Sequence, residues 1–84
     1  MIKDKTRIIG KDEAVALMLK GGTLVRHMRN GVFTRNDIYD GNGEYIGVLR
    51  KPTYASIAGL ITMDDNKTLP GGFACYRFTM RGGV

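Results

Sequence analysis

Thr23-Leu24-Val25-Arg26-His27-Met28-Arg29, then Asn30-Gly31, then Val32-Phe33-Thr34-Arg35-Asn36-Asp37-Ile38-Tyr39 is the stretch that decides the fold. Asn30-Gly31 is the strongest two-residue hairpin signal, because both central positions of such a turn need positive φ. The flanking runs therefore read as antiparallel strands over 23–29 and 32–39. An uninterrupted register sets Arg29 opposite Val32, Met28 opposite Phe33, His27 opposite Thr34 and Arg26 opposite Arg35. A second turn cluster, Asp40-Gly41-Asn42-Gly43, leads into Glu44-Tyr45-Ile46-Gly47-Val48-Leu49 and closes a three-stranded meander. Gly47 inside the third strand marks a bulge or a close backbone neighbour.

On the N-terminal side, Asp12-Glu13-Ala14-Val15-Ala16-Leu17-Met18-Leu19-Lys20 predicts a helix over 11–20. Its acidic start and basic end suit the helix dipole. Ala14, Leu17 and Met18 recur at helical spacing, as do Val15 and Leu19, and Gly21-Gly22 stops the helix. Residues 1–10 read as a leader segment in which Arg7-Ile8-Ile9 pairs as a short edge strand. On the C-terminal side, Arg50-Lys51-Pro52-Thr53 opens a second helix of about two turns, with Tyr54, Ile57 and Ala58 on one face and Gly59 at its end. Leu60 to Met63 reads as a short strand and Asp64 to Gly72 as a loop. Phe73 to Thr79 is the last strand, and residues 80–84 form a frayed tail. The expected fold is one α+β domain in the order helix, three-stranded antiparallel meander, short helix, terminal hairpin. Both helices then pack on one sheet face through Leu17, Met18, Ile57 and Leu60.

Eighty-four residues hold one domain that buries roughly 60–65% of its unfolded surface, with little room for a walled catalytic cleft. A lone cysteine, Cys75, excludes an internal disulfide and any zinc site needing two thiolates. It suits a reducing compartment, and the start of the chain lacks the unbroken apolar run of a secretory signal. A cytoplasmic location with no membrane partner is expected.

The chemistry-bearing motifs are weak. Asp40-Gly41-Asn42-Gly43-Glu44 starts like a calcium loop, but Tyr45 and Lys51 stand where the glycine and the bidentate glutamate are required. His27 and Cys75 are the candidates for a thiol–imidazole pair, yet nothing near Cys75 resembles a nucleophile motif. Cys75 reads as a small hydrophobe and His27 as a half-exposed cross-strand partner. Ser56 lacks a nucleophile elbow, and the glycine pairs lack the ending of a phosphate loop. No enzyme, no cofactor and no metal is expected.

The basic residues carry more. Thirteen Lys and Arg against eight Asp and Glu leave a formal charge of +5. Two directly opposed arginines, Arg26 and Arg35, repel unless solvent or an anion lies between them. With Arg29, Arg50 and Lys51 they form a candidate phosphate-contacting surface, to which Lys67 and Arg77 add charge on the last hairpin.

Tyr54-Ala55-Ser56-Ile57-Ala58-Gly59-Leu60-Ile61-Thr62, a turn-rich loop and Tyr76-Arg77-Phe78-Thr79 resemble the end of a winged-helix domain. There a helix ends in Gly-Leu-Ile and enters a β-hairpin wing. The resemblance covers about residues 53–79, and the front of the chain is similar to some short bacterial and prophage accessory proteins of this type. It implies DNA more than RNA as partner. A helix of two turns with few cations departs from a recognition helix, so phosphate contacts from meander and wing are expected rather than base readout. The alternative is a protein-binding module, such as a small phage-encoded inhibitor or adaptor acting on an acidic host protein. The exposed meander edge would serve it, or a homodimer.

Overall fold

A computed structural model describes residues 7–81. Of the expected leader over residues 1–10 and frayed tail over 80–84, residues 1–6 and 82–84 lie outside the described residues, while Met80 is not frayed but ends the last strand, paired with Ile61. Two helices, α1 (Lys11–Leu19) and α2 (Lys51–Ile57), accompany five strands: β1 (Thr23–Arg29), β2 (Val32–Tyr39), β3 (Tyr45–Leu49), β4 (Ile61–Leu69) and β5 (Phe73–Met80). The strands form one antiparallel sheet in the order β3-β2-β1-β5-β4. The fold is α+β.

Local chemistry explains most element ends. Asp12 and Glu13 lie in the first turn of α1. Its last turn closes in a Schellman arrangement: the Gly22 N–H donates to the Leu17 carbonyl and the Gly21 N–H to that of Met18, with Gly21 at φ +95°. Asn30 (φ 52°) and Gly31 (φ 79°) supply the two positive φ angles of the β1–β2 turn. The Asp40 side chain accepts the backbone N–H groups of Asn42 and Glu44 and fixes the β2–β3 turn.

One sheet face is covered. Leu24, Ile38, Leu49 and Ile61 point from the strands into a core shared with Ala14 and Met18 of α1, Ile57 of α2, and Ile9. Met18 and Ile57 are the expected helix anchors, and Leu17 packs partly buried beside them. Leu60 does not join: it lies in the single 3-10 turn Ala58–Leu60 and is exposed, so Ile61 takes the core position instead. Leu19, read as part of the helical apolar pattern, is also exposed.

Three other expectations need correction. First, the β1–β2 register slips: Met28 pairs with Phe33, but His27 pairs with Arg35 and Arg26 with Asn36. Thr34 is the extra residue, and its hydroxyl donates to the His27 carbonyl at 2.9 Å. Arg26 and Arg35 therefore do not oppose each other, and His27 does not face Thr34. Second, the expected loop from Asp64 is strand as far as Leu69, with a bulge between Met63 and Asp65. Pairing with β5 outweighs the poor strand propensity of Asp64-Asp65-Asn66, and an exposed edge tolerates those charges. Third, the meander edge is not free. Arg7-Ile8-Ile9 pairs with β3 as expected of an edge segment, in parallel, through Ile9 N–H to Val48 O (2.8 Å) and Val48 N–H to Arg7 O (2.9 Å). Gly47 permits this approach, because a Cβ there would lie 2.5 Å from the Arg7 carbonyl. β4 is the edge without a neighbour among the described residues.

Candidate nucleic-acid interface

Residues directly opposed across antiparallel strands share a face. The register therefore sorts the seven candidate cations. Arg26, opposite Asn36 and Tyr76, stands on the helix-covered face. Arg29, Arg35, Lys67 and Arg77 belong to the uncovered one. Arg50 caps the N-terminus of α2 and Lys51 begins it, so both join Arg26 on the helix side.

There the cations and aromatic rings interleave. The Arg26 guanidinium lies 4.7 Å from the centre of the Phe33 ring and 4.3 Å from that of Tyr54. The Lys51 ammonium lies 5.1 Å from the Phe33 ring, and Tyr54 meets Phe78 edge-on at 5.9 Å. Each cation–π contact stabilises by about 0.5–2 kcal/mol, more when desolvated. The rings thus hold Arg26 in place without neutralising it. Among the described residues, no carboxylate pairs with Arg26, Arg50 or Lys51. Beneath the stack, Arg26 Nη1 and both amide atoms of the fully buried Asn36 lack hydrogen-bond partners. Each such atom costs about 1–3 kcal/mol, and departures of this kind concentrate at functional sites.

The uncovered face is arranged differently. Arg29 stacks on the exposed Phe73 ring at 4.9 Å, near the tips of the two hairpins. Those tips are tied by the Asn30 N–H to Gly72 carbonyl bond of 2.7 Å. Arg77 is paired with Asp64, and Arg35 Nε donates to Asp37 Oδ2 at 3.1 Å. Lys67 lies opposite Cys75 at the rim of a groove of about 220 Å³. Asp37 is only 1% exposed and gathers three partners: Arg35, His27 Nε2 at 2.9 Å and the Tyr45 hydroxyl, which donates to Oδ1 at 3.4 Å. Partial burial first, and then the negative charge of Asp37, raise the Tyr45 phenol above its ordinary range, against a smaller opposing pull from Arg35.

The seven candidates do not form one surface. Arg26 and Lys51 meet over Phe33, with Arg50 next to Lys51 in the chain, Arg29 and Lys67 stand apart on the other face, and Arg35 and Arg77 each pair with a carboxylate. His27 and Cys75, the pair that the sequence offers as thiol and imidazole and that reads there as hydrophobe and cross-strand partner, lie 3.4 Å apart, and Asp37, which the sequence does not single out, joins them. Their grouping depends on β1 lying between β2 and β5, which no local motif reports. No family model, curated protein or solved structure matches the chain.

Proposed function

We propose that this protein is a non-enzymatic accessory or regulatory protein that binds nucleic acid, DNA in preference to RNA, through the patch of Arg50, Lys51 and Arg26. The observation that carries the reading is the placing of Arg26 and Lys51 over Phe33 and Tyr54, with Arg50 next to Lys51 at the start of α2 and, among the described residues, no carboxylate paired with any of the three. Unpaired cations on a surface gain affinity by releasing counterions from the phosphate backbone. The winged-helix resemblance of residues 53–79 supports the same location, since α2 corresponds to the helix that faces DNA in that family. At seven residues α2 is too short to follow a groove, so the contacts are with phosphates and carry register rather than sequence. Arg29 and Lys67 extend the positive field around the hairpin tips and the β4 edge.

Fluorescence anisotropy with labelled duplex and single-stranded DNA, at about 50 and about 200 mM salt, tests the reading. Micromolar binding that weakens steeply with salt supports it, and no binding at the lower salt overturns it.

A second reading, a protein-binding adaptor or inhibitor, is favoured by the edge of β4, nine residues long and without a neighbour among the described residues. Its bulge and its charges oppose indiscriminate strand pairing, so a partner would need a matched strand. A pull-down with nuclease treatment separates the two, because a protein partner survives the nuclease.

A further inference from the structure

The uncovered face places a thiol, an imidazole and a carboxylate in a row on three neighbouring strands. Cys75 on β5 lies directly opposite His27 on β1, with Sγ 3.4 Å from Nδ1. The other ring nitrogen, Nε2, is 2.9 Å from Asp37 Oδ2 on β2, close enough for charge pairing although its N–H is not aimed along a hydrogen bond. Asp37 is buried and is itself held by Arg35 and Tyr45. The thiol is half-buried and lines the groove, whose other walls are Val25, Asp65, Asn66, Lys67 and Arg77. Strand pairing, rather than a loop, fixes the spacing. The row has the order in which a carboxylate orients an imidazole and the imidazole accepts a thiol proton.

We infer that Cys75 is a nucleophilic modification site, assisted by His27 and Asp37, that takes a small anionic disulfide. His27 Nδ1 accepts the thiol proton as Sγ attacks one sulfur of the disulfide. A Cys75–sulfur bond forms, the original S–S bond breaks, and the departing half leaves as a thiolate that recovers the proton. Cys75 is oxidised and the departing half is reduced, so the incoming disulfide is the oxidant and no other co-reactant is needed. The preference for an anion comes from Lys67, directly across from Cys75. Asp64 pairs with Arg77, and Asp65 is the opposing charge in the groove wall.

The chain has one cysteine, so its reactivity is read without interference. The probes are 5,5′-dithiobis(2-nitrobenzoate), which is anionic, and 2,2′-dithiodipyridine, which is neutral. The reference is the same chain unfolded in urea. At neutral pH the folded chain is expected to react with the anionic probe about tenfold faster than the unfolded chain, within the range by which local environment changes thiol reactivity. His27→Gln should remove that advantage and return the rate–pH profile to that of the unfolded chain. Lys67→Gln, on an exposed edge, should lower the anionic-to-neutral rate ratio. Glutathione disulfide should then give one adduct by intact mass. A folded chain that reacts more slowly than the unfolded one with both probes overturns the proposal, as does a His27→Gln variant that is folded by circular dichroism and reacts like the wild type.

Discussion

The two faces of this sheet are built from alternate residues of the same strands, yet they are held by different physics. On the covered face, Leu24 and Ile38 are fully buried against α1 and α2. On the uncovered face the buried residue is a carboxylate, Asp37, with three polar partners around it. Apolar burial therefore dominates stability on one side, while charge pairing fixes side-chain positions on the other. The cations follow the same division. Among the described residues Arg26, Arg50 and Lys51 near α2 have no carboxylate partner, whereas Arg35 and Arg77 pair with Asp37 and Asp64.

Neighbouring residues on β1 test the contrast most sharply. Leu24→Ala should cost about 2–5 kcal/mol as a cavity-forming change in the core. That is a large share of the roughly 4–13 kcal/mol expected of a chain this size. Gly47→Ala should follow at about 1–3 kcal/mol, because its Cβ forces the Arg7 segment off β3. Val25→Ala, one residue from Leu24 but on the uncovered face, should cost only about 1 kcal/mol or less. Urea denaturation midpoints of the three variants rank them, and equal losses at Leu24 and Val25 would break the comparison.

The smallest effect lies at Tyr45. Its phenol holds its proton more tightly folded than unfolded, so the associated stability is complete below the ordinary tyrosine value of about 10. It is lost as pH rises through the raised folded value. Tyr45→Phe should flatten the alkaline fall in stability, measured by thermal unfolding across that range, and leave stability near pH 7 little changed. An unaltered alkaline fall would remove Tyr45 from the Asp37 network.

Much of the fold is legible because its signals are local. Asn30-Gly31 sets a turn, Gly21-Gly22 stops a helix, and the patterned run from Ala14 to Met18 presents a core face. What escapes the sequence depends on partners far along the chain. Thr34 carries no mark that distinguishes a bulge from regular strand, and one extra residue there separates Arg26 from Arg35. Asp64 to Leu69 reads as loop until β5 supplies a ladder. His27 and Cys75 are 48 positions apart, and only the β1–β5 register joins them. For the candidate interface, the sequence identifies cations but not faces, so it cannot separate Arg50 and Lys51 from Arg35 and Arg77.

The salt dependence of DNA binding tests that separation directly. The measurement is the slope of log affinity against log salt for the wild type, for Arg50→Ala with Lys51→Ala, and for Arg35→Ala with Arg77→Ala. Loss of two phosphate contacts should shrink the slope of the first double variant by about 1.4–1.8. The second double variant should keep the wild-type slope, since its arginines already have carboxylate partners. The reverse pattern, an unchanged slope in the first variant and a reduced one in the second, would contradict the assignment of the interface to the helix side.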